Sequence, residues 1–101
     1  MKTIVNKETT LPVERDGKDS KMKYFDFIRV CVNKNDPQKG FTVEDMKKRF
    51  DIIDLLEDDK AELDVEDAVF ENIKKYVKEM DGSWGTINKT IIEFVDYINS
   101  L

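Results

Sequence analysis

The stretch Tyr24-Phe25-Asp26-Phe27-Ile28-Arg29-Val30-Cys31-Val32-Asn33 decides the fold, because it can be read as a strand or as a helix. Ile28, Val30 and Val32 favour a strand by propensity. The polar positions argue otherwise. Asp26, Arg29 and Asn33 recur at i, i+3 and i+7, which gathers them on one helical face. Tyr24, Phe27, Ile28, Cys31 and Val32 then share the other face, whereas on a strand Asp26 and Arg29 would interrupt both sides. The spacing predicts a helix over residues 22–33, with Asp19 or Ser20 as its N-cap.

C-terminal to this helix, residues 33–40 form a loop punctuated by Pro37 and Gly40. Thr42, followed three positions on by Asp45, is a variant capping box opening a second helix. Val43, Met46, Phe50 and Ile53 make an apolar stripe along it, and Ile52, Ile53, Leu55 and Leu56 turn its second half apolar on two sides. That half is expected to be the most deeply buried helical stretch. Residues 62–65, Glu-Leu-Asp-Val, alternate as a short strand would. Asp67 to Met80 carries Val69, Phe70, Ile73, Tyr76, Val77 and Met80 within about a third of the helical circumference. A last helix is predicted over residues 88–99, with Ile91, Ile92, Phe94, Val95 and Ile98 inward.

N-terminal to the deciding stretch, Thr3-Ile4-Val5 and Leu11-Pro12-Val13 read as extended chain, in the form of two short strands, ended by an Asp16-Gly17 turn. The chain of 101 residues is one domain. It is α+β and predominantly helical, with an extended segment over residues 1–20 and a helical core over residues 21–101. About four helices pack around Phe27, Ile28, Phe50, Ile53, Leu56, Phe70, Ile73, Val77, Val95 and Ile98. A small β element joins residues 3–13 to residues 62–65.

The charge is unevenly spread. Residues 15–49 hold ten bases and six acids, and residues 50–101 hold five bases and fourteen acids, within a net charge of −5. Such a split can orient a partner or a neighbouring copy, unless folding interleaves the two halves.

There is no histidine, which removes histidine triads and histidine metal sites. Cys31 sits on an apolar helical face with no flanking base and reads as an inert buried thiol. Nine acids fall between Asp51 and Asp67, yet no glycine lies between Gly40 and Gly82, so an EF-hand loop fails. Paired carboxylates for glycoside hydrolysis lack any cluster of tryptophans beside them. Neither a phosphate-cradling G-x-x-x-x-G-K-[ST] loop nor a G-x-G-x-x-G turn is present. No catalytic residue, metal ligand, cofactor or small-molecule substrate is assigned.

Three surfaces remain as partner contacts. Asp58, Asp59, Glu62 and Asp64 form an acidic edge, which could imitate the phosphates of a nucleic acid or simply be solvated. Lys47 and Arg49 follow the Thr42 cap in a weak likeness to a helix-turn-helix, opposed by a long loop and a sequence pI of about 4.8. Trp84, flanked by Gly82 and Gly85, is either an interface anchor or a plug over one end of the core.

The segments YFDFIRVCVN, GFTVEDMKKRFDIIDLLE, LDVEDAVFENIKKYVKEM and IIEFVDYI resemble small proteins of tailed bacteriophages and prophages. The likeness covers most of residues 24–98 and rests on helix-forming patterns. It implies a virion component, an assembly factor or an inhibitor of host machinery, and carries over no catalytic residue. The leading expectation is a non-enzymatic protein that contacts another protein or copies of itself. An acidic inhibitor of a host nucleic-acid-binding or defence protein is the first alternative, and a DNA-binding regulator the second. The N-terminus lacks the apolar region of a signal peptide and no apolar run is long enough to span a membrane, so an intracellular compartment or a particle assembled in one is expected, which the resemblance implies is the bacterial host cytoplasm or a virion.

Overall fold

The computed structural model describes residues 1–15, 17–34, 40–58 and 60–101. Asp16 of the first turn, the Pro37 loop and Asp59 of the acidic edge lie outside them. The element order is β1 (Lys2–Val5), β2 (Glu8–Arg15), β3 (Lys18–Lys23), α1 (Tyr24–Val32), α2 (Val43–Leu56), β4 (Glu62–Val65), α3 (Asp67–Glu79) and α4 (Lys89–Ser100). Among the described residues, four helices thus accompany two antiparallel two-stranded sheets, and the α+β expectation holds.

The first sheet is the expected one. β1 pairs with β4, with Ile4 opposite Leu63. Ile4, Leu63 and Val65 point into the core, while Thr3, Val5, Glu62 and Asp64 point out. The second sheet corrects the sequence reading. Residues 8–15 pair with β3 and not with residues 62–65. The sequence KDSKMK of β3 has no apolar alternation to announce a strand. Gly17 instead sets the turn, at a φ of 75° that only glycine adopts freely. The register slips between Glu8 and Pro12, where proline has no N–H to offer the ladder. There the Thr9 hydroxyl donates to the Met22 carbonyl at 2.7 Å.

This hairpin moves the start of α1 to Tyr24, so Asp19 and Ser20 are strand residues and not caps. Asp26 takes over the task, accepting the Lys23 N–H at 2.7 Å. Asn6 completes the turn. Its carbonyl accepts from the Phe25 N–H at 2.9 Å, and its amide donates to the Lys60 carbonyl at 3.1 Å. One side chain therefore ties β1, the start of α1 and the entry to β4 together. The cap at Thr42 is as expected, with its hydroxyl accepting the Asp45 N–H at 3.0 Å. Asn88 caps α4 by accepting from the Thr90 N–H at 2.7 Å.

An aromatic cluster sits at the centre of the core. Phe94, fully buried, lies 5.2 Å from Phe27 and 5.3 Å from Tyr24 between ring centroids. Tyr97 lies beside Tyr24, and its hydroxyl accepts the Val5 N–H at 2.8 Å, which fixes α4 to β1. Trp84 closes one end against Phe27 at 6.5 Å. Cys31 is buried, and burial pushes its thiol pKa up to about 12, so it is protonated and unreactive at neutral pH.

The largest correction concerns α2. Ile52 and Leu56 are buried, but Phe50 is 61% exposed, Leu55 is also exposed, and Ile53 is half-buried. The second half of α2 is therefore not the most buried helical stretch. In α4, Ile92 faces solvent and Val95 is half-buried. Phe94→Ala should cost about 3–5 kcal/mol of folding free energy, the loss typical of a truncated buried ring. Phe50→Ala should cost under about 1 kcal/mol, as for an exposed position. Urea denaturation of the two variants checks this contrast.

Candidate functional site

α2 presents two faces of opposite character, and the inner one explains the outer. On the inner face, Arg49 is 12% exposed. Its Nε donates to Asp45 on the same helix at 2.7 Å, and one terminal nitrogen donates to the Val32 carbonyl at 2.8 Å. Val32 ends α1, where the last carbonyls have no partner within the helix. The guanidinium stands between two rings, 4.1 Å from the Tyr76 centroid and 4.7 Å from that of Phe41. Glu79 of α3 lies 3.4 Å from its other end.

α1 returns the arrangement. Arg29 pairs with Asp26 on its own helix at 3.0 Å and donates to the carbonyl of Leu56, the last residue of α2. Each helix thus supplies an arginine that caps the C-terminus of the other. The contacts Arg29 to Leu56 and Arg49 to Val32 hold the C-terminal parts of the two helices together. Lys34 repeats the theme on α3, donating to the Glu79 carbonyl at 2.7 Å. These cations sit at the negative ends of the helix dipoles.

With its inner face fixed, α2 turns Val43, Met46 and Phe50 outward, at 67%, 41% and 61% exposure. Ile53, half-buried against the core, ends the row. Phe41, Met46, Phe50 and Ile53 help line a shallow hollow of about 240 Å³. Lys47 and Asp54 flank the row, one turn before and one turn after Phe50. Both are exposed, and neither forms an ion pair among the described residues. The row is thus an exposed apolar stripe with one charged side chain on its rim toward either end. A larger hollow of about 520 Å³ lies beside the inner face, lined in part by Lys34, Asp45, Arg49 and Glu79. These four groups already bond one another or backbone carbonyls, so the hollow offers a ligand little.

The residues singled out in the sequence do not form one site. Arg49 is an internal strut and not a contact residue. Lys47 is exposed on the α2 rim. Trp84 is partly buried as the plug over Phe27. Asp58 follows α2 in a turn, 3.8 Å from Lys60. Glu62 and Asp64 stand on the outer face of β4, and Asp64 accepts from the Thr3 hydroxyl at 2.5 Å. Phe50 and Ile53 were expected in the core, and Val43 and Met46 on the same apolar stripe. Their 3-4-3 spacing was visible, but so was the alternative: Asp45 and Arg49, four apart, already marked a different face as the paired one.

No protein-family model, curated protein or solved structure matches the chain. Among the described residues, no group of three potential ligands is placed to hold a metal ion, and no helix is long and apolar enough to cross a membrane.

The inner face should be readable through pH. For Asp45, burial works to raise the carboxyl pKa, but hydrogen bonds from Arg49 and Tyr76 and the charges of Arg49 and Lys75 outweigh it, so the pKa lies below the ordinary 3.8. Its contribution to stability is present above that value and is lost as pH falls through the lower folded value. Asp45→Asn should therefore be less stable than wild type at pH 7, with the gap closing below about pH 4. For Tyr76, burial and then the hydrogen bond to Asp45 push the pKa up to about 12 from 10.0. Its contribution is intact below pH 10 and lost as pH rises toward 12. Tyr76→Phe should lack that alkaline loss. Thermal melts across both ranges measure these differences.

Proposed function

We propose that this chain is a non-enzymatic protein-binding domain whose docking surface is the outer face of α2. The observation that carries the proposal is the exposure of Val43, Met46 and Phe50 in one row on a helix whose opposite face is locked. In a domain of 101 residues, leaving a phenylalanine in water forgoes roughly 1.5–3 kcal/mol of burial. That is a sizeable part of the 5–15 kcal/mol typical of folded domains. A surface of this kind recovers the loss when a partner covers it.

The resemblance of residues 24–98 to small tailed-phage and prophage proteins supports a virion or assembly role for the domain. A DNA-binding role is less well supported, because Arg49 spends its hydrogen bonds inside the fold and a phosphate backbone would meet only Lys47 and Lys48, the latter already beside Glu44. The acidic edge at Asp58, Glu62 and Asp64 is a separate surface, one that an inhibitor of a nucleic-acid-binding protein would use.

Affinity capture from phage-producing cells tests the reading. Wild-type chain should retain a defined protein complex, and Phe50→Asp should lose it while keeping its circular dichroism and melting temperature. Retention of the same complex by Phe50→Asp would refute the α2 surface. Loss only on reversing Asp58 and Glu62 would move the function to the acidic edge.

A further inference from the structure

The outer face of α2 carries information about what covers it. Val43, Met46, Phe50 and Ile53 are spaced 3, 4 and 3 residues apart, which is the a-d-a-d pattern of a coiled-coil seam. In that frame Lys47 and Asp54 both occupy e positions, which rim the seam on one side. The g positions, Arg49 and Leu56, are turned inward and used by the fold. The rim is therefore one-sided, and its two charges are opposite in sign and seven residues apart.

We infer that the occupant is a second copy of this chain, packed with its α2 antiparallel to the first about a two-fold axis near Phe50. This inference rests on the reading of α2 as a docking face. An antiparallel pair sets e positions against e positions, so Lys47 meets the copy's Asp54, and Asp54 meets the copy's Lys47. A parallel pair sets e against g, and here the g side chains are inside the domain, leaving both charges unanswered. Reversal thus makes the stripe its own electrostatic complement, which is the requirement of an isologous interface. The helix dipoles also oppose one another in that arrangement.

The seam is short. α2 has 14 residues and a length of about 21 Å. Such a contact falls below the roughly 1,200 Å² of a standard interface and belongs with weak complexes. It suits a setting in which many copies are held close together, where a weak contact acts at high effective concentration.

Sedimentation equilibrium of the full chain, from about 10 μM to 1 mM, tests this. The apparent mass should climb from 11.8 kDa toward twice that value. Lys47→Glu and Asp54→Lys, both at exposed positions, should each weaken the dimer about tenfold or more, and the double variant should restore it. Phe50→Asp should remain monomeric. Orientation is read by mild oxidation of a mixture of Lys47→Cys and Asp54→Cys chains. Antiparallel pairing gives mixed disulfide dimers, and like-with-like dimers would overturn it. A chain that stays monomeric at every concentration overturns the inference, as does a dimer indifferent to Phe50→Asp. If the chain is monomeric yet captures another protein through Phe50, the docking face stands and the second copy is wrong. If it neither pairs nor captures anything, both fall.

Discussion

The structure depends on an exchange of arginines between α1 and α2. A helix end leaves carbonyls without partners, and burying them unpaired is costly. Here Arg49 answers Val32 and Arg29 answers the Leu56 carbonyl, each arginine being held in place by an acid on its own helix. A guanidinium suits this work, since its planar fork can serve a carboxylate and a carbonyl together. The exchange ties the C-terminal parts of the two helices together and sets the rotation of α2 about its own axis.

That rotation is a contest between oil and charge. The outer row of α2, with Val43, Met46, Phe50 and Ile53, is the longer apolar stripe, and burial alone would favour turning it inward. The inner row offers Ile52 and Leu56, so the apolar difference between the two orientations amounts to about one or two side chains, at roughly 1.5–3 kcal/mol each. Against this stand hydrogen bonds from charged groups, roughly 1.5–3 kcal/mol each, and the packing of Arg49 between Phe41 and Tyr76. Turning the outer row inward would withdraw Arg49 from Val32 and Asp45 from Tyr76. It would also displace the Leu56 carbonyl from Arg29. The polar interactions prevail, and the exposed stripe is their consequence.

Much of the fold was legible in the sequence where a single face had to be chosen. α1, α3 and α4 each have one coherent apolar side, and their inward residues, Phe27, Ile28, Phe70, Ile73, Val77 and Ile98, were assigned correctly. The cap at Thr42 and the pairing of residues 62–65 with the N-terminal segment also followed from local chemistry. What was not legible had two causes. The strand β3 is held by its turn and its backbone ladder, and KDSKMK carries no periodic apolar signal. In α2, two apolar rows compete, and the deciding partners, Val32, Leu56, Phe41 and Tyr76, are distant in sequence. Hydrophobic periodicity cannot weigh a guanidinium against a carbonyl 17 residues away. For the same reason Arg49 looked like a surface residue, and Phe50 looked like core.

The rotation of α2 can be measured directly by thiol accessibility. Cys31 is the only native thiol and is buried. Phe50→Cys and Ile52→Cys, each labelled in the folded protein at high dilution, place one new thiol on either face of the helix. The account predicts fast labelling at position 50, near the rate of the unfolded chain, and strong protection at position 52. The reverse order, with position 50 protected and position 52 reactive, would contradict it.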